Sequence, residues 1–385
     1  MTRHEADESK KRPRVAAIDV MRGFVMVLMS IDHASEAFNR GRLMTDGVRM
    51  YRPGTELPFD QFMTRWITHL CAPTFVALAG AALAMSVEAR KSRGESPWEI
   101  DRHVLVRGLL LVVFEVLWMS WAMMDAWGRF LFQVLYAIGA SLVCMPLLRR
   151  LGDRAMVAVG LALALGSEVV IGAFMAAGLV DRIPTALLST GGWFFGGKLV
   201  IAYPLLPWLG MMCLGWAFGR RMVKWRAEGK DEAAEASRLL VIAGAIGLSL
   251  FVALRAANGF GNMRLLRESG GLVQWLHVSK YPPSATYVGL ELGIAALILA
   301  ALFRWGSRAL RALEPLRLLG QTALFYYLLH IHVLKLAAWS TGLEGRLGVG
   351  SAYLGALGVL VALYPACAWY RRYKAAHPNG WARWI

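Results

Sequence analysis

Ten stretches of the chain are nearly unbroken apolar runs of about 20 residues, the length that crosses a bilayer core of roughly 30 Å. They span approximately 15–38, 66–87, 103–124, 129–148, 155–179, 199–219, 239–257, 285–303, 316–339 and 350–370. The longest polar connections lie near 39–65, 180–198 and 258–284. Lipid offers no partner to a free sheet edge, so runs of this kind predict helices. The expectation is an all-α, polytopic membrane bundle of about ten transmembrane helices. A basic leader (1–14) precedes one transmembrane domain (15–370), and a basic tail (371–385) follows it.

Composition strengthens that reading. The chain is 57% hydrophobic and 18% charged, with a mean hydropathy of +0.46, against about 45–50% and 25% in soluble domains. The net charge of +16 raises nucleic acid as a partner, and the distribution of the charge answers it. Lys and Arg gather in every second connection, as "ESKKRPR", "ARKSRG", "LRRLGDR", "GRRMVKWRAEGK", "RWGSRALRALEPLR" and "YRRYKAAH". Under the positive-inside rule this puts both termini and residues 220–238 in the cytoplasm and 258–284 on the opposite side. The basic excess therefore reads as topology and contact with anionic lipid, with no nucleic-acid partner. Cys71, Cys144, Cys213 and Cys367 fall in or near the apolar runs and form no CxxC pair, so neither a disulfide framework nor a metal site is expected. Asp19 and Arg22 interrupt the first run and no small-x-small cleavage site follows, which makes it a retained anchor. An Ala- and Arg-rich chain without an organelle signal points to a multi-pass protein of the bacterial cytoplasmic membrane.

The first run, "IDVMRGFVMVLMSIDHA", carries Asp19, Arg22, Asp32 and His33. Eleven residues of helix turn through about 1100°, so Arg22 and His33 share one face, about 16 Å apart along the axis. Asp19, Met26 and Met29 fall on or near the same stripe, which suits a protein interior or aqueous cavity better than lipid. The bland alternative is an interfacial Asp19–Arg22 ion pair with His33 at the far headgroup level. Asp32 diverges from His33 by about 100° and is poorly placed to orient it, so a carboxylate from another helix is expected instead.

Topology brings further groups to the level of His33: His69, Lys280, Tyr281 and, in the ninth run, His330. His332 lies about 200° around that helix and faces elsewhere. Tyr203, Pro204, Pro207 and Trp208 break the start of the sixth run, and Pro282, Pro283 and Ser284 set the entry of the eighth. Such residues either shape an aromatic-lined cavity or serve packing and interfacial anchoring. Glu115, Glu168 and Glu291 lie inside apolar runs, as proton-relay groups or as hydrogen-bonding partners in the packing.

"IDVMRGFVMVLMSIDH" resembles the first-helix signature of transmembrane acyltransferases, with an Arg and a His separated by ten residues. With "THLCAPTFVALAGAAL", "YPLLPWLGMMCLGWAFG", "KYPPSATY" and "LGQTALFYYLLHIH", the chain is most similar to bacterial proteins with a heparan-alpha-glucosaminide N-acetyltransferase-type catalytic domain, and more distantly to the acyltransferase-3 family. The resemblance implies transfer of an acetyl group from cytoplasmic acetyl-CoA to a hydroxyl or amine of a sugar-like or glycolipid acceptor across the membrane. It implies His33 as the catalytic histidine and Arg22 as its partner. A His with a near-neutral pKa suits the deprotonation of an attacking acceptor. Arg22 and Asp19 are assigned to the donor, His330 to support of His33, and His69, Lys280, Tyr281, Tyr203 and Trp208 to the acceptor. Arg220, Arg221, Lys224 and Arg226 offer further charge to CoA, although topology already accounts for them. Membrane lipid is a partner, and a homo-oligomer is left open. The reading from another class is a secondary transporter or proton-coupled exporter using the three embedded glutamates, which would call for related halves that the sequence lacks.

Overall fold

The computed structural model describes residues 15–124, 127–305 and 311–378, together with 380 and 384. The basic leader and most of the tail beyond 378 lie outside the described residues. Each apolar run holds a helix. In chain order they are α1 (Ala16–Phe38), α2 (Phe59–Ile67), α3 (Cys71–Lys91), α4 (Pro97–Phe114), α5 (Ser120–Met124), α6 (Val134–Leu148), α7 (Asp153–Leu165) and α8 (Ser167–Ala176). There follow α9 (Leu205–Ala227), α10 (Glu232–Ala257), α11 (Leu272–Leu276), α12 (Ala285–Arg304), α13 (Glu314–Gln321), α14 (Ala323–Thr341) and α15 (Gly350–Ala376).

Among the described residues five helical segments are long and apolar enough to cross a membrane: 59–91, 97–124, 232–257, 285–304 and 350–376. The pair α7 and α8, bent by 55° at Gly166, makes a sixth if counted as one span. The chain is a multi-pass membrane protein. α1, 23 residues long, is not among them, because its charges Asp19, Arg22, Asp32 and Glu36 are spread along its length; it packs against α3, α13, α14 and α15. Its contact with α13 is a backbone-to-backbone crossing. A Cβ at Gly23 would strike the Leu316 carbonyl, and one at Gly320 the Asp19 carbonyl, so small residues set the approach.

Strict all-α architecture needs one correction. Three short strands, β1 (Phe130–Phe132), β2 (Gly192–Phe194) and β3 (Leu199–Ile201), form a sheet in the order β1-β3-β2. β1 runs parallel to β3 and β2 antiparallel to it. The fourth and sixth apolar runs therefore begin as extended chain. Their helices start only at Val134 and Leu205, after residues with strong strand preference.

Local chemistry sets the helix ends. Ser96 and Glu99 close a capping box on α4 with Pro97 in its first turn, and Asp231 caps α10 through the amides of Ala233 and Ala234. The carboxylate of Glu115 accepts from Leu135 N at 2.6 Å and Tyr136 N at 3.1 Å, capping the first turn of α6 from a neighbouring helix. Glu168 does the same for the 258–284 connection through Gly261 N (2.6 Å) and Met263 N (3.2 Å). Two of the three embedded glutamates thus hold backbone amides; Glu115 and Glu291 each keep one buried oxygen without a partner among the described residues.

Candidate active site

Two cavities flank the middle of α1. The first, about 360 Å³, is lined by the C-terminal half of α1 (Met29, Asp32, His33, Glu36), the start of α3, the β-sheet, and Tyr203, Lys280 and Tyr281 from the connections before α9 and α12. The second, about 350 Å³, is lined by Arg22 and Met26, with Arg90 at the end of α3, His103 and Arg107 of α4, Gln321 and Lys374. Phe75, Val134 and Tyr327 belong to the walls of both, so only a thin partition of side chains separates them.

His33 is buried and reaches the first cavity. Its Nδ1 lies 2.6 Å from Nε2 of His330, which is fully buried behind it on α14. The other ring nitrogen of His330 faces two carbonyls, Tyr327 O at 2.8 Å and Tyr326 O at 3.2 Å. Carbonyls only accept, so His330 Nδ1 carries the proton and its Nε2, in the neutral ring, accepts. His33 Nδ1 must then donate, which leaves the lone pair of the neutral His33 ring on Nε2. Stacking of His330 on Tyr326, whose hydroxyl meets Ser30 Oγ at 2.6 Å, holds this second ring in place. The expected orienting carboxylate is absent among the described residues: a histidine occupies its place.

Asp32 turns away from His33, as its helical phase requires. Its Oδ1 receives Arg65 at 2.5 Å and Arg42 at 3.1 Å. Arg65 also binds Asp46 (Nε to Oδ2 2.7 Å), and Asp46 Oδ1 lies 3.4 Å from His69 Nε2. Burial pushes the Asp46 carboxyl upward, but the Arg65 guanidinium and His69 outweigh it and hold the carboxyl well below the usual range. His69 accordingly sits behind the wall as a partner of Asp46, outside the cavity lining.

The remaining sequence candidates divide similarly. Lys280, Tyr281 and Tyr203 line the first cavity, and Trp208 is sealed behind Tyr203, stacked at 4.3 Å. Arg22 lines the second cavity, donating to Leu78 O at 3.1 Å; Asp19 stands 3.7 Å from it and accepts from Gln321, outside the lining. His332 stacks on Trp118, away from His33. Residues 220–226, the last turns of α9, line neither cavity: Arg220 and Lys224 pair with Asp153 and Arg226 with Glu232. Arg90, Arg107 and Lys374 supply the basic wall that those residues do not.

A buried histidine, hydrogen-bonded to a second histidine and facing one cavity, thus stands across a thin partition from a second, basic cavity. Residues 14–254 match the family described as heparan-alpha-glucosaminide N-acetyltransferase, catalytic. The chain belongs to this family. It is therefore a membrane acetyltransferase by family, and the match covers α1 to α9 and nearly all of α10, including most of the wall around His33. No curated protein matches the chain.

Proposed function

We propose that the protein moves an acetyl group from cytoplasmic acetyl-CoA, entering the Arg22 cavity, to a hydroxyl or amine of a sugar-like acceptor held in the His33 cavity on the far side of the membrane. The topology that goes with this reading has ten spans and both termini in the cytoplasm, in the cell membrane. What carries it is the free Nε2 of His33, aimed at a cavity that shares the wall of Phe75, Val134 and Tyr327 with a basic one.

His33 Nε2 takes the acceptor's O–H or N–H proton as that oxygen or nitrogen bonds to the acetyl carbonyl carbon. The C–S bond then breaks and the thiolate leaves toward the Arg22 side. His330 positions His33 and accepts from the imidazolium that forms, a part usually played by a carboxylate. The residues fit the donor: Arg22, Arg90, Arg107 and Lys374 suit phosphates, and Arg offers a planar fork for them. The transporter reading has less to stand on, because Glu115 and Glu168 are engaged by backbone amides.

Purified protein in lipid nanodiscs, given labelled acetyl-CoA and a panel of glycans, is expected to release CoA and yield an acetylated glycan. Substrate movement driven by a proton gradient, with no acetylated product, would replace this function with transport.

A further inference from the structure

Lys280 is 3% exposed, yet among the described residues its ammonium has no hydrogen-bonding or ion-pair partner. Of the carboxylates nearby, three are already occupied, and a fourth, Glu291, makes no ion pair with it among the described residues. Asp32 is held by Arg65 and Arg42, Asp46 by Arg65 and His69, and Glu36 by Arg42 at 3.5 Å. What does hold Lys280 is its backbone, through the amide bond to Asp46 O at 2.8 Å, and two rings, those of Tyr281 and Tyr203, whose centroids lie 5.4 and 5.9 Å from Nζ. Tyr203 repeats the pattern: its ring is clamped on Trp208 while its hydroxyl has no partner among the described residues. Neither polar atom is sealed in protein, and both side chains belong to the cavity that His33 faces.

An ammonium taken out of bulk water with its donors unspent is costly unless a ligand supplies acceptors. We propose that Lys280 and Tyr203 form an oxyanion-binding subsite of the His33 cavity. This rests on the acetyl-transfer reading above and adds to it the charge of what the cavity holds. The oxyanion has two sources, a carboxylate or phosphate on the acceptor, or the carbonyl oxygen of the tetrahedral intermediate as it gains negative charge. In either case the ammonium and hydroxyl point donors at a fixed place and need no rearrangement when the charge arrives.

The test uses full-length protein in nanodiscs, wild type beside Lys280→Met and Tyr203→Phe. Binding of glucosamine and of glucosamine 6-phosphate is followed by thermal shift, and acetyl transfer to glycans is resolved into kcat and KM. If the acceptor brings the anion, glucosamine 6-phosphate stabilises wild type at concentrations about tenfold below glucosamine, and Lys280→Met removes the preference. If the intermediate brings it, the two sugars bind alike and Lys280→Met lowers kcat by about 10²–10³ with KM little changed, Tyr203→Phe by less. Lys280→Arg, which keeps the charge, should recover part of either loss. A Lys280→Met protein that folds and differs from wild type in neither readout overturns the subsite. Because sugar binding needs no turnover, wild type that shows the Lys280-dependent preference but never acetylates a glycan keeps the subsite and loses the transferase reading; transfer and sugar binding that are both indifferent to Lys280 do the reverse.

Discussion

The two ends of α1 are built differently. Around His33 the ring and the carboxylate beside it in sequence are both fixed: His330 holds the ring, and Arg65 and Arg42 hold Asp32. Those partners come from α14, α2 and the connection after α1, so the geometry is over-determined. Around Arg22 the wall is basic. The guanidinium contacts Leu78 O and lies 3.7 Å from Asp19, while Arg90, Arg107 and Lys374 arrive on three other helices. A locked histidine suits chemistry, where a misplacement of about 1 Å is expensive. A wall of cations suits the capture of a ligand that carries phosphates.

This contrast is broken most sharply at His330. His330→Phe keeps a ring against Tyr326 but removes the acceptor for His33 Nδ1. Transfer should fall by about 10², with acetyl-CoA affinity by calorimetry unchanged. An equal loss of donor affinity would mean that the two ends are not separate in function.

At the other end the effect is smaller and of another kind. Arg22→Lys keeps the charge and loses the fork, so acetyl-CoA affinity should weaken by about tenfold while kcat at saturating donor stays within about threefold of wild type. A drop in kcat with affinity intact would move Arg22 into the chemistry.

The smallest effect concerns the support behind the His33 wall. Asp46 has its carboxyl held below the ordinary value by Arg65 and His69, so its contribution to stability is present above the unfolded Asp pKa of about 4 and is lost as pH falls. Asp46→Asn should melt several degrees lower at pH 7 in detergent. It should also lose less on going from pH 5 to pH 3 than wild type does. Parallel curves for the two proteins would show that the pair contributes nothing to folding.

Much of this was legible in the chain. Period and length place a helix in each apolar run, and helical phase alone puts Arg22 and His33 on one stripe while turning Asp32 aside. Three-residue strands escape such reading, since Phe130–Phe132 and Leu199–Ile201 are as apolar as the helices they precede. His330 could be suspected but not given its task, because its partner is 297 residues away and hydrogen-bond direction is read only from the Tyr326 and Tyr327 carbonyls. Arg65, Asp46 and Arg42 gave no signal: charges in and near a polar connection look solvated until the fold buries them. The basic wall was sought at 220–226, where charge is dense in sequence, whereas the fold gathers single cations from helices far apart in the chain.

His33→Ala tests the central claim most directly, measured as the acetyl-transfer rate of the folded variant with and without added imidazole, beside its acetyl-CoA affinity. Loss of a positioned general base costs about 10²–10⁴ in rate. A loss of that size is expected, with partial recovery by imidazole and donor binding like that of wild type. Near-normal transfer by His33→Ala, or donor binding lost together with the rate, would contradict it.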